Sequence, residues 1–105
     1  MKLYMEAQPQ LSTIHEINGL AVLDFGTNWC GYCQAAAPLI EQAFFNVPNL
    51  KHVKVEDGPG RPLGRSFRVK LWPTLIFLKD GQEQARLVRP SDTDSIRTAL
   101  KSINV

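Results

Sequence analysis

Apolar residues fall into short blocks along this chain, separated by polar and turn-forming punctuation. LAVLDF, residues 20–25, is almost wholly apolar and suits a strand buried on both faces. Farther on, Ala36, Leu39, Ile40, Ala43 and Phe44 recur at steps of three and four, the stripe of a helix with one buried side. Val47-Pro48 ends that helix, because the residue before a proline avoids the α region. HVKVE, residues 52–56, alternates and is β-branched, which predicts a strand. DGPGRPLG, residues 57–64, predicts a loop, with a short helix around Leu63–Phe67.

The last third is patterned more plainly. TLIFLKDG reads as a strand running into the Asp80-Gly81 hairpin signal, and QEQARLV as its antiparallel partner. PSDTDS offers helix caps, Ser91 or Asp92, and Ile96, Leu100 and Ile103 mark the buried face of a closing helix. The opening third is weaker in pattern: a strand near Leu3–Glu6, then a helix from Pro9 to about Ile17. The order is strand, helix, strand, helix, strand, helix, two strands, helix. That alternation predicts an α/β fold with a central mixed sheet of four or five strands and helices on both faces.

At 105 residues the chain is expected to form one domain, residues 1–105. Its 44% apolar and 21% charged residues are ordinary for a globular protein. Apolar runs stay well short of the ~18 residues of a membrane span, and MKLYMEAQPQLS lacks the apolar core of a secretory signal. A cytoplasmic location is therefore expected; a periplasmic chain stripped of its signal would read the same.

The net charge of +2 is too small to argue for nucleic acid, and neither nucleic acid nor membrane is expected as a partner. Its distribution is uneven. Residues 1–48 carry one basic and four acidic side chains, whereas residues 49–105 carry eleven basic and six acidic ones. Arg61, Arg65, Arg68 and Lys70 supply much of that excess. The simpler reading is a solvated face; the sharper one is a docking surface for acidic partners.

Both cysteines lie in TNWCGYCQAAAP, residues 27–38. A disulfide staple works by closing a long loop, and Cys30–Cys33 closes almost nothing, so stability does not explain the pair. A zinc site wants four ligands; His15 and His52 are the other soft donors, and neither has a second ligand at short spacing. Zinc, and two unrelated buried thiols, stay as lesser readings. The context favours a dithiol that opens and closes. Cys30 falls between a buried strand and a helix, where unpaired N–H groups and the helix dipole favour the thiolate. Cys30 is thus expected to be the exposed attacker, and Cys33, one turn in, the resolver of a mixed disulfide.

From about Asn18 onward the chain resembles the thioredoxins. VLDF before the cysteines, WCGYC at them, Pro38 five residues beyond, WPT before a strand and LKDG at the hairpin carry the likeness. The resemblance implies a thioredoxin fold and a thiol–disulfide oxidoreductase acting on disulfide-containing proteins. It implies no bound cofactor beyond the redox-active Cys30–Cys33 pair, a reductase or thiol as electron donor, and a monomer. Asp24 matches the family's buried acid, implied to move the proton of the resolving thiol, and Lys54 the lysine kept near it. Pro73 matches a cis-proline packed against the disulfide, and with Thr74 its backbone is implied to hold a substrate segment.

The chain also departs from that pattern. Gly31-Tyr32 stands between the cysteines where a typical thioredoxin has Gly-Pro, closer to bacterial disulfide isomerases and to the tyrosine of the glutaredoxin CPYC. A potential somewhat less reducing than the ~−270 mV of thioredoxins is therefore expected. Gly26 replaces a large aromatic, opening space over the site; Trp72 precedes the proline where a smaller residue is customary. Arg89-Pro90 replaces a glycine and is expected to narrow the groove and select partners. Trp29 and Tyr32, beside the thiols, are expected to shield them and to meet partners. Two rivals remain: a binding or chaperone module that does not turn over, and a glutathione-linked enzyme of glutaredoxin type.

Overall fold

The structure, a computed structural model, describes residues 3–103. Strand β1 (Leu20–Gly26) is central. It pairs in parallel with β2 (Lys51–Glu56) and antiparallel with β3 (Thr74–Lys79). Strand β4 (Gln82–Val88) adds to β3 at the edge, so the order is β2-β1-β3-β4. The sheet has four strands, mixed as expected. Asp80 and Gly81 turn β3 into β4 with positive φ of 50° and 79°, the conformation that matches strand twist in a two-residue hairpin.

Alternation along β1 divides the core between two faces. Val22 points to one side, against Ala36 and Ile40 of helix α2 (Gly31–Phe44) and Ile96 and Leu100 of helix α4 (Thr93–Lys101). Ala21, Leu23 and Phe25 point to the other, meeting Ile14 of α1 (Leu11–His15) and Leu63 of α3 (Pro62–Ser66). Each large side chain so buried contributes about 1.5–3 kcal/mol of transfer free energy. Helices thus cover both faces.

Several sequence expectations shift in detail. The strand expected at Leu3–Glu6 is a single bridge, Met5 to Val55, because one residue's worth of ladder is all this segment makes with β2. The first helix is shorter than Pro9–Ile17, beginning after Gln10 and ending at His15. Pro62 starts α3 inside the stretch expected as loop, since its fixed φ suits a first helical position. Asp92, rather than Ser91, caps α4, accepting the Ser95 N–H at 2.6 Å. Pro38 lies within α2 as expected from its sequence position.

Candidate active site

The end of β1 and the start of α2 set the two cysteines. Cys30 is the N-cap of α2 with an extended backbone, and its sulfur accepts the N–H of Cys33 at 3.2 Å. Such N–H groups have no partner within the helix, so a sulfur at the cap satisfies one of them. Both cysteines are free thiols. The expected contrast in exposure is weaker than supposed: Cys30 is 8% exposed and Cys33 3%. The neighbouring helix start and Trp72 cover Cys30 more than its place at a cap suggested. Burial, then the hydrogen bond with Cys30, pushes the Cys33 thiol up to about 12, against smaller lowering by the Thr27 backbone and Tyr4.

Around the thiols the aromatic residues form a mouth. Trp29 stands out into solvent at 71% exposure, edge-on to Trp72 with ring centres 5.7 Å apart. It presents a broad apolar face beside the site. The Trp72–Pro73 peptide is cis. Trp72 is anchored through Nε1–H to Asp57 Oδ2 at 2.9 Å. The Pro73 carbonyl accepts from Arg89 N–H at 2.9 Å, and Thr74 sits in the ladder between Phe25 and Val88. The Thr74 hydroxyl turns back to the Leu71 carbonyl at 2.6 Å. Arg89 reaches across the groove: Nε–H donates to the Trp72 carbonyl at 2.8 Å, and its guanidinium lies 3.8 Å from the centre of the Tyr32 ring. Gly31 leaves open space where a Cβ would stand.

Beneath the thiols lies Asp24, fully buried on the same face of β1 as Val22. The Tyr4 hydroxyl donates to its Oδ1 at 2.7 Å, and His52 Nε2 lies 2.8 Å from its Oδ2. A carboxylate only accepts, so the His52 nitrogen carries the hydrogen in that bond. Lys54 stands opposite Asp24 in the parallel register and holds its ammonium 4.4 Å from the centre of the Tyr4 ring. Lys54 is itself buried. A cleft of about 80 Å³ adjoins these groups, with Glu41, Ala37 and Ile40 as its remaining walls.

Tyr4 and His52 are the partners of Asp24 that sequence reasoning missed. Gly26 held the signal for the first: a Cβ there would fall 2.6 Å from Cys33 Sγ and 2.8 Å from both Cζ and Oη of Tyr4. The space expected to be open is filled by this tyrosine, delivered from the N-terminal segment. Burial, then the Asp24 charge and hydrogen bond, holds the Tyr4 phenol far above its ordinary range, so it stays protonated.

A cysteine pair at a helix cap, a buried acid below and a cis-proline opposite form one constellation, and the chain's likeness to known proteins agrees with it. The thioredoxin family profile matches residues 5–102. The chain belongs to the thioredoxin family. Among curated relatives of this thioredoxin-family protein, the thioredoxin of Chlamydia trachomatis is 38% identical over 80 residues, covering 75% of this chain and 78% of that protein. A thioredoxin H-type of Ricinus communis is 29% identical, covering 88% of this chain and 78% of that one. The solved structure of thioredoxin 2 from Pseudomonas aeruginosa PAO1 in its reduced form is 48% identical, with a TM-score of 0.87 over 97% of this chain and 94% of that one. This thioredoxin-family protein is a thiol–disulfide oxidoreductase whose redox-active centre is a cysteine pair. No described helix is long and apolar enough to cross a membrane. Among the described residues no group of His, Cys, Asp and Glu could hold a metal ion.

Proposed function

We propose that this protein exchanges its Cys30–Cys33 pair with disulfides of other proteins, with Cys30 as nucleophile and Cys33 as resolver. The Cys30 thiolate attacks a substrate disulfide, forming a mixed disulfide and releasing one substrate sulfur. Cys33 then attacks Cys30, its proton passing toward Asp24, and the second substrate sulfur leaves; Lys54 tunes the charge beside that acid. The observation that carries this reading is the cap geometry: Cys30 Sγ takes the N–H of Cys33 at 3.2 Å, with the partner thiol one turn below in the same helix.

Substrate contacts in this reading come from the mouth. Trp29, Tyr32 and Trp72 give apolar surface, Gly31 leaves the approach to Cys30 bare, and Pro73, Thr74 and Arg89 form the opposite rim. Electrons arrive from a reductase or a thiol, with no bound cofactor beyond the cysteine pair, and the protein works as a monomeric domain, residues 1–105, in the cytoplasm.

Replacement of Cys30 by Ser tests the reading. Loss of disulfide reduction, together with a trapped mixed disulfide in Cys33→Ser, supports it; reduction that persists undiminished in Cys30→Ser overturns it, and a parent protein that reduces no disulfide is a binding module instead. Titration against a glutathione redox buffer then gives direction: a midpoint near ~−270 mV marks a reductase and one near ~−180 mV an oxidase or isomerase.

A further inference from the structure

We propose that the Tyr4 hydroxyl carries the proton between Cys33 and Asp24, and that His52 is the positioning residue that turns Asp24 toward it. The inference rests on the reading of Cys33 as the resolving thiol. It replaces direct transfer between thiol and acid with a relay through a side chain from a distant part of the chain.

Proximity is the first argument. The Cβ position of Gly26 lies within 2.6 Å of Cys33 Sγ and 2.8 Å of Tyr4 Oη, so sulfur and hydroxyl share one small space over the end of β1. Across that space the Tyr4 hydroxyl and the Cys33 thiol act on each other's charge. On its far side the same hydroxyl donates to Asp24 Oδ1 at 2.7 Å. One oxygen thus stands between a proton donor and a proton acceptor, and a hydroxyl can accept from one while donating to the other. Tyr4 and Asp24 are 6% and 0% exposed, so neither side chain stands in bulk water.

The step balances without an outside reagent beyond the substrate disulfide. In the mixed disulfide, Cys33 S–H gives its proton to Tyr4 Oη while the Tyr4 proton moves to Asp24 Oδ1. The Cys33 sulfur pair forms the bond to Cys30, the bond from Cys30 to substrate sulfur breaks, and that sulfur leaves with the electron pair. Two protein thiols are oxidised and one substrate disulfide is reduced. Tyr4 ends as it began, a neutral phenol, and Asp24 ends as the neutral acid, releasing its proton through the cleft that it lines with Glu41 and Lys54.

His52 acts one bond farther out. Its Nε2–H holds Oδ2 at 2.8 Å, which leaves Oδ1 turned to Tyr4. Edge-to-face packing on Phe44, with ring centres 5.0 Å apart, fixes the imidazole plane.

A single rapid-mixing experiment tests both roles. Reduced protein is mixed with an aromatic disulfide whose thiolate is coloured: the first equivalent released reports Cys30 attack, and the second reports resolution by Cys33. The ratio of second to first rate constant is expected to fall at least about tenfold in Tyr4→Phe, which keeps the ring but not the hydroxyl, in line with the size of positioned proton transfer. His52→Leu is expected to lower the same ratio, and His52→Gln, whose amide N–H can still hold Oδ2, to restore most of it. A Tyr4→Phe ratio within about twofold of the parent overturns the relay. Equal ratios for the two His52 variants overturn the positioning role. Absence of a first coloured equivalent from the parent protein would instead sink the underlying reading of the cysteines.

Discussion

Arg89 stacks on Tyr32, its guanidinium 3.8 Å from the ring centre, while the same side chain donates to the Trp72 carbonyl at 2.8 Å. One cation therefore ties the first turn of α2 to the segment before the cis-proline, across the groove a substrate must enter. Its backbone φ of 53° is a conformation that glycine adopts freely, so Arg89→Gly should fold without new strain. Opening the groove is expected to raise kcat/KM for a protein disulfide, relative to a small aromatic disulfide, by about fivefold, or about 1 kcal/mol in transition-state free energy. Paired steady-state assays on the two substrates decide it. A lowered ratio would mean that the contact Arg89 makes with substrate outweighs any restriction it imposes.

Cys33 supplies a pH dependence of stability. Burial favours its neutral form in the folded protein, where its titration moves from an ordinary 9.0 to about 12. A group held protonated by folding leaves stability intact below its unfolded pKa and removes it as pH rises through the folded one. The reduced protein should thus lose stability between about pH 9 and 12, and the oxidised protein, which has no thiol to ionise there, should lose less. Urea unfolding of both forms at several alkaline pH values measures the difference; parallel curves for the two forms would contradict it. The same shift predicts that a brief exposure to iodoacetamide near pH 8 labels Cys30 and spares Cys33.

The parts legible in the sequence are those where local pattern and tertiary fold agree. The Asp80-Gly81 hairpin, the Leu20–Phe25 strand and the 36–44 helical stripe were all visible, because each is fixed by period or by turn chemistry within a few residues. The cysteine pair was visible for the same reason. Asp24 gained two partners that were not. Tyr4 lies 20 positions away in the weakly patterned segment that read as a strand near Leu3–Glu6, and it docks because Gly26 leaves room. His52 read as a strand residue and as a metal donor without a second ligand. Its meeting with Asp24 depends on the parallel register that sets Val22 opposite His52 and Asp24 opposite Lys54, and parallel register is decided by the packed helices rather than by a turn. Arg89 was readable as an intrusion, but its reach to Tyr32 depends on a positive φ that sequence did not foretell.

Asp92 gives a separate test of local stability, remote from the thiols. Its carboxylate accepts the Ser95 N–H at 2.6 Å and lies at the N-terminal end of α4, where unpaired amides and the helix dipole both favour an anion. Asp92→Ala should cost about 1 kcal/mol, lowering the melting temperature by about 4–8 °C in a domain of this size. Asp92→Asn should recover most of the loss, because an amide oxygen still accepts the bond. Thermal unfolding of the three proteins measures this, and an unchanged midpoint in Asp92→Ala would remove the cap from the stabilising interactions of α4.

Gly26 is the position where stability and chemistry are most tightly joined. A methyl group there would stand 2.6 Å from Cys33 Sγ and 2.8 Å from the Tyr4 ring and hydroxyl, far inside van der Waals contact. Neither neighbour can swing away cheaply: Cys33 is a short side chain on the first turn of α2, and the Tyr4 ring is pinned by Asp24 and covered by Lys54. Gly26→Ala should therefore destabilise the protein by about 1–3 kcal/mol, the usual cost of overfilling a packed interior. Truncating the intruding tyrosine ought to relieve it. In the double variant Gly26→Ala/Tyr4→Ala the two costs should be less than additive, by 0.5 kcal/mol or more on the scale on the order of 0.5–3 kcal/mol seen for touching residues. A double-mutant cycle from urea unfolding gives that coupling directly. Strict additivity would mean that Tyr4 does not occupy the space Gly26 leaves.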